Sequence, residues 1–123
     1  MTNIRNNKRQ TGQKGEDLAV DYLMGLNYEV RERNFHFGHL EIDIIAFDGD
    51  LMVVVEVKSV FIGIEPDPVQ YLTRGQFRNL TKGAAAYLQL KGLTPEVRFD
   101  LLCLSLFRNP PLIRHFKDVW IPH

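Results

Sequence analysis

The sequence predicts an α/β fold, a mixed β-sheet covered on both faces by helices. Three observations predict it. Two segments repeat their apolar residues at helical spacing, several short runs are rich in branched apolar residues, and the two kinds alternate along the chain in the order helix, three strands, helix, one or two strands. With 123 residues there is room for one core and not for two.

Residues 1–11 read as a basic, flexible N-terminal arm, and residues 12–123 as a single domain. In the arm and just after it, Arg5, Lys8, Arg9 and Lys14 precede the first acid, Glu16, as a solubilising tail or as phosphate contacts. Over 12–27 the stripe Leu18, Ala19, Tyr22, Leu23 and Leu26 predicts the first helix, ended by Gly25 or Asn27. Tyr28 to Phe35 alternates as a strand. The two strands that follow are joined by Asp48-Gly49, a strong two-residue hairpin signal. The proline-bearing run over 59–72 reads as a loop. From about Leu72 to Leu90 a second helix turns Phe77, Leu80, Ala84, Tyr87 and Leu88 inward. Its Arg74, Arg78 and Lys82 recur every fourth residue and form a basic ridge, which is either a solvated face or a nucleic-acid-binding one. Residues 97–107 form a buried strand, and the segment after Pro110-Pro111 adds a last strand or short extension.

Composition narrows the function classes. Fifteen basic and fifteen acidic residues cancel, which counts against binding nucleic acid by bulk charge while leaving local patches open. The one cysteine, Cys103, lies in an apolar run and reads as an inert core thiol. The polar amino terminus lacks a signal peptide's apolar stretch, and no segment has membrane-spanning length. The expected setting is therefore the reducing cytoplasm, with no membrane partner. There is no P-loop, no Gly-x-Ser-x-Gly elbow and no paired-cysteine motif.

The informative stretch is Glu41–Ser59, a hairpin with four ionisable residues among its apolar ones. An Asp48-Gly49 turn pairs Phe47 with Asp50. That sets Asp43 opposite Val54, Glu41 opposite Glu56 and His39 opposite Lys58. His39, Glu41, Asp43, Ile45, Val54, Glu56 and Lys58 then share one face. The other, with Ile42, Ile44, Ala46, Leu51, Val53, Val55 and Val57, is wholly apolar. Asp43 and Glu56 become diagonal neighbours that a divalent ion could bridge. Glu16 lies seven residues before Leu23, so it shares that inward azimuth, as a first-turn cap or as a further acid at the same site. Carboxylates beside a lysine suit hydrolysis of a phosphodiester assisted by Mg²⁺ or Mn²⁺. The Val57 carbonyl offers a further oxygen ligand. Zinc on His39, or on His36 with Glu41, is the weaker reading because neither HxH nor HExxH spacing occurs.

The motifs G-x-K-G-E-D-x-A at 12–19, E-I-D-I-I-A at 41–46 and V-V-E-V-K at 54–58 resemble the YraN-like family of the restriction-endonuclease-like, PD-(D/E)XK nuclease superfamily. L-x-x-x-A-A-x-Y-L at 80–88 and V-R-F-D at 97–100 extend the resemblance over most of the chain. It implies a sandwich with a central mixed sheet flanked by helices. It also implies Asp43 and Glu56 as metal ligands, Lys58 as the catalytic lysine and Glu16 as the helix-borne acid, acting on branched or damaged DNA. Glu41 and His39 are supporting neighbours, and Gln76 stands where the family often has a lysine and RecB-like relatives a glutamine. Leu40 replaces a usual glycine, and Val60 replaces a common basic residue. These departures motivate the alternative expectation, a non-catalytic nucleic-acid- or protein-binding module on the nuclease fold. Resolvase-like relatives act as dimers because two strands need two sites, which by analogy makes a homodimer the expected assembly.

Overall fold

In a computed structural model, which describes residues 4–60 and 71–120, the described residues form a five-stranded sheet between two helices. In chain order these are α1 (Ile4–Gly25), β1 (Glu29–Phe37), β2 (Leu40–Asp48), β3 (Leu51–Val60), α2 (Arg74–Lys91), β4 (Val97–Ser105) and β5 (Leu112–Phe116). The strands lie side by side in sequence order, antiparallel except for β3 and β4, which are parallel and connected through α2. The mixed sheet covered on both faces is the expected architecture. Most of the 59–72 loop lies outside the described residues, although Ser59 and Val60 still belong to β3.

α1 starts at Ile4, well before the expected start at Gly12. The stretch 4–14 has no proline, and its Lys, Arg and Gln residues are good helix formers, so nothing local stops the helix there. Its far end is a Schellman turn. Asn27 takes φ 66°, Tyr28 N–H donates to the Leu23 carbonyl at 3.1 Å, and Asn27 N–H donates to Met24 at 2.9 Å. α2 ends the same way at Gly92, with φ 64°. At its start Thr73 and Gln76 form a capping box: the Thr73 hydroxyl accepts from Gln76 N–H, and the Gln76 side-chain oxygen accepts from Thr73 N–H.

The two helices bury different faces. α1 places Ala19 and Leu23 on Ile44, Ala46, Val53, Val55, Leu102 and Leu104. α2 places Phe77, Leu80, Ala84 and Tyr87 on Ile42, Ile45, Phe47, Met52 and Val54. The β2–β3 hairpin therefore has two apolar faces where it is covered, not one.

The hairpin register differs from the expected one by two residues. Asp48 pairs with Leu51 and Ile45 with Val54, so the turn's central residues are Gly49 and Asp50. Gly49 has φ 61°, as the first central residue of a type II′ turn requires, and glycine alone meets that demand without strain. A second difference lies in β2. Ile45 and Phe47 face α2 but so does Ile42, while Ile44 faces α1, so strict alternation fails around Asp43. Opposite it in the β1 register, Asn34 takes φ 52°, and this left-handed residue kinks the neighbouring strand.

Elsewhere the polar interior is satisfied. Asp100, 2% exposed, accepts two hydrogen bonds from Arg98, one from Asp118 N–H and an interaction from His115 Nε2 at 2.7 Å. His115 Nδ1 meets Tyr22 of α1 at 3.1 Å, and Arg98 reaches Tyr28 at 3.0 Å. This network ties α1 to β4 and β5. Cys103 is fully buried, and burial pushes its thiol up to about 11 against the opposing charge of Lys58.

Candidate active site

The backbone pairing of β2 with β3 runs from the turn to Ile44↔Val55. Beyond that point Val57 N–H donates instead to the Asp43 carboxylate, at 2.8 Å. Continuing the ladder would set Asp43 against Glu56 and Glu41 against Lys58, two residues away from the expected partners. Asp43 thus sits where the strands part, with a backbone N–H as its fixed donor.

β3 alternates regularly. Met52 and Val54 face α2, so Glu56 and Lys58 stand on that face, while Val53, Val55 and Val57 face α1. The expected sharing of one face by Glu56 and Lys58 holds, and Lys58 Nζ lies 3.5 Å from Glu56 Oε1. Asp43 hydrogen-bonds the Glu56 side chain, which brings three of the four expected groups together. Glu41 does not join them on that face: it lines a cavity of about 250 Å³ on the α1 side with Glu16, Asn34, Asp43, Val57 and Ser59. The break in alternation around Asp43 turns Glu41 across the sheet.

Glu16 does point inward and converges on Asp43, but its Oε1 is occupied. It accepts from Arg33 Nε at 3.1 Å and from Asn34 Nδ2 at 3.0 Å. Arg33 also binds Asp17. The glycine before it sets how closely α1 approaches: a Cβ on Gly15 would lie 2.8 Å from Ser59 Oγ and 3.3 Å from Leu104 Cδ1. Arg33, Asn34, Gly15 and Ser59 are the residues that sequence reasoning missed. Asn34 carried a signal, since asparagine is enriched in left-handed backbone and sits in an alternating strand.

Electrostatics at the pair are strained. Burial is the main cause that raises both carboxyls. For Asp43, Val57 N–H and Lys58 oppose it, while Glu41 and Glu16 add to it. Glu56 is pushed up to about 7 by burial and by Asp43, with Lys58 compensating only in part. The Lys58 ammonium, 3.5 Å from Glu56, opposes that rise at both carboxyls. Among the described residues no three His, Cys, Asp or Glu side chains are grouped to hold a metal ion. The available donors are two carboxylates and backbone oxygen, a set that suits Mg²⁺ or Mn²⁺ completed by water and phosphate oxygens.

The remaining candidates lie outside the cluster. His39 is exposed in the β1–β2 turn, and His36 Nε2 lies 4.0 Å from Glu41 Oε1 with both side chains exposed, so no zinc set forms there. Gln76 spends its side-chain oxygen on Thr73 N–H, which accounts for a glutamine at that position by helix capping. Arg74, Arg78 and Lys82 are exposed on α2.

A five-stranded mixed sheet between helices, with Asp43 and Glu56-Val57-Lys58 where two strands part, defines a restriction-endonuclease-like sandwich of the PD-(D/E)XK nuclease-like group. The chain belongs to the uncharacterised protein family UPF0102, whose profile matches residues 15–104. It is 33% identical over 126 residues to a UPF0102 protein of Chlorobium chlorochromatii, covering 97% of this chain and 98% of that one. A UPF0102 protein of Thermotoga neapolitana is 39% identical over 106 residues, covering 86% and 94%. One from Geobacter metallireducens is 35% identical over 113 residues, covering 91% and 93%. No helix among the described residues is long and apolar enough to cross a membrane.

Proposed function

We propose that this protein is a Mg²⁺- or Mn²⁺-dependent nuclease that hydrolyses phosphodiester bonds in DNA, in the cytoplasm. The observation that carries the reading is the buried, hydrogen-bonded Asp43–Glu56 pair, in which burial raises both carboxyls and Lys58, 3.5 Å from Glu56, opposes the rise. Mg²⁺ or Mn²⁺ bound there would supply an acidified water and offset charge building on the phosphate. Asp43 and Glu56 would hold the ion together with the Val57 carbonyl, and Val57 N–H fixes the orientation of Asp43. Lys58, whose ammonium lies 3.5 Å from Glu56, would stabilise negative charge developing on a phosphate held there. Glu16 stands behind Asp43, held by Arg33 and Asn34, and adds negative charge on the α1 side.

The first experiment is calorimetric titration with Mn²⁺ of wild type and of Asp43→Asn. Saturable binding in wild type, lost in the variant, is expected, followed by metal-dependent cleavage that Lys58→Ala abolishes. Cleavage unchanged by Asp43→Asn or Lys58→Ala overturns the reading. One observation favours the second reading, a non-catalytic binding module: Glu16 is already paired with Arg33 and Asn34. That module binds nucleic acid or a protein without turnover and without regard to Lys58→Ala.

A further inference from the structure

Asn34 does two things at the place where the sheet opens. β1 pairs Arg33 with Ile44 and Phe35 with Ile42, which sets Asn34 opposite Asp43. Its backbone is left-handed, with φ 52°, inside a strand. Its side chain crosses to α1 and donates from Nδ2 to Glu16 Oε1 at 3.0 Å. Asparagine takes this backbone more readily than most residues, and unlike glycine it also brings a side-chain donor. Position 34 uses both properties.

The bond orients an acid beside the candidate site. Arg33 Nε donates to the same Glu16 oxygen at 3.1 Å, so the two bonds hold Oε1 and leave Oε2 to the cavity that Glu16 lines. That cavity, about 250 Å³, has room for several waters. Asn34 lines it too, with Asp43 and Val57, two of the residues assigned above to the ion. Gly15 lets α1 come this close, since a Cβ there would meet Ser59 Oγ at 2.8 Å. The Glu16 charge is already felt at Asp43, where it disfavours a second anion. Negative charge and an acceptor oxygen held beside Asp43 are what a hydrated divalent cation meets outside its direct ligands. The Arg33 guanidinium carries charge and also binds Asp17, whereas the Asn34 amide is neutral. Asn34 therefore contributes orientation without charge.

We propose that Asn34 is a positioning residue: its amide holds Glu16 toward the Asp43 cavity, and Glu16 so held strengthens the binding of a divalent cation at Asp43 and Glu56. This rests on the metal-dependent reading and names what keeps its helix-borne acid in place. The test is calorimetric titration with Mn²⁺ alone, beside melting temperature in EDTA, for wild type, Asn34→Gly, Glu16→Gln and the double variant. Asn34→Gly keeps the net charge and accepts φ 52° without strain, so the amide donor is what it removes. Partners that orient groups around a metal typically carry about 10- to 100-fold of its affinity, so Asn34→Gly should bind Mn²⁺ about 10-fold more weakly or worse. Glu16→Gln should lose at least as much, and the double variant no more than Glu16→Gln alone. A lower melting temperature with Mn²⁺ affinity unchanged marks Asn34 as a structural tie between α1 and β1 and overturns the inference. So do losses that add in the double variant, or no Mn²⁺ binding by wild type.

Cleavage in Mn²⁺ separates the two failures. If Lys58→Ala leaves cleavage unchanged, or none occurs, while Asn34→Gly still weakens Mn²⁺ binding through Glu16, the nuclease reading fails and the positioning role stands. If Lys58→Ala abolishes cleavage and Asn34→Gly binds Mn²⁺ as wild type does, the nuclease reading stands and this inference fails.

Discussion

At the scale of single residues, Glu56 makes the site's strain measurable. Its folded pKa, about 7, lies above the ordinary carboxylate value near 4.5 because burial and Asp43 disfavour the anion. Between those values the folded state binds more protons than the unfolded state, so stability is greatest below about 4.5 and falls as pH rises through 7. Melting temperature measured against pH in EDTA should show that decline, and Glu56→Gln should flatten it. Gly15 is the second residue where one atom decides the outcome. Alanine there gains helix propensity of about 1 kcal/mol but crowds Ser59 and Leu104, and overpacking typically costs about 1–3 kcal/mol. Gly15→Ala should destabilise by about 1 kcal/mol in urea unfolding. In a Ser59→Ala background the cost should shrink, because the nearest clash is with Ser59 Oγ.

At the scale of elements, α2 owes its starting point to Thr73 and Gln76. Losing a capping hydroxyl costs about 1 kcal/mol, so Thr73→Ala should lower stability by that amount in urea unfolding and leave the Asp43–Glu56 pair intact. Both helices end in left-handed turns that return a hydrophobic residue to the core, Tyr28 after α1 and Leu93 after α2. The β2–β3 hairpin does the positional work. Its type II′ turn at Gly49 sets the register, and the register decides which carboxylate meets which. Strand separation past Ile44↔Val55 then lets Asp43 take the Val57 N–H in place of a backbone partner. β1 contributes through a kink: Asn34 and Arg33 both reach Glu16 on α1, while Phe35 turns to α2.

At the scale of the molecule, one buried acid connects most of the layers. Asp100 draws together β4, β5 and, through His115 and Tyr22, α1. Burial alone would raise its pKa. The interactions with His115, Arg98 and Asp118 N–H, with the Arg98 charge, outweigh burial and hold it at about 2. Its contribution is therefore complete above the ordinary value of 3.8 and is lost as pH falls toward 2. A shift of that size corresponds to roughly 2 kcal/mol, and acid unfolding of Asp100→Asn should lack that component. At neutral pH the same variant should be destabilised by about 3–5 kcal/mol in urea, since Arg98 loses its buried partner.

Local pattern by itself determined the alternation of helices and strands, the inward residues of α2, the inert Cys103, and Glu56 and Lys58 on one side of β3. Each follows from spacing along a single element, and spacing is written in the sequence. The motifs around Glu16, Asp43 and Glu56 also carried the family. What only the tertiary structure decided is how those elements meet. The choice between Asp48-Gly49 and Gly49-Asp50 as turn centre rests on backbone angles, and a two-residue shift moves Asp43 from Val54 to Glu56. Glu41 lies across the sheet from Glu56 because alternation breaks at Asp43, an irregularity that no periodicity announces. Arg33 and Asn34 find Glu16 only once α1 lies against β1, and the Gln76 side chain is seen to close a capping box with Thr73. Distances across elements depend on packing, and packing is a property of the whole chain.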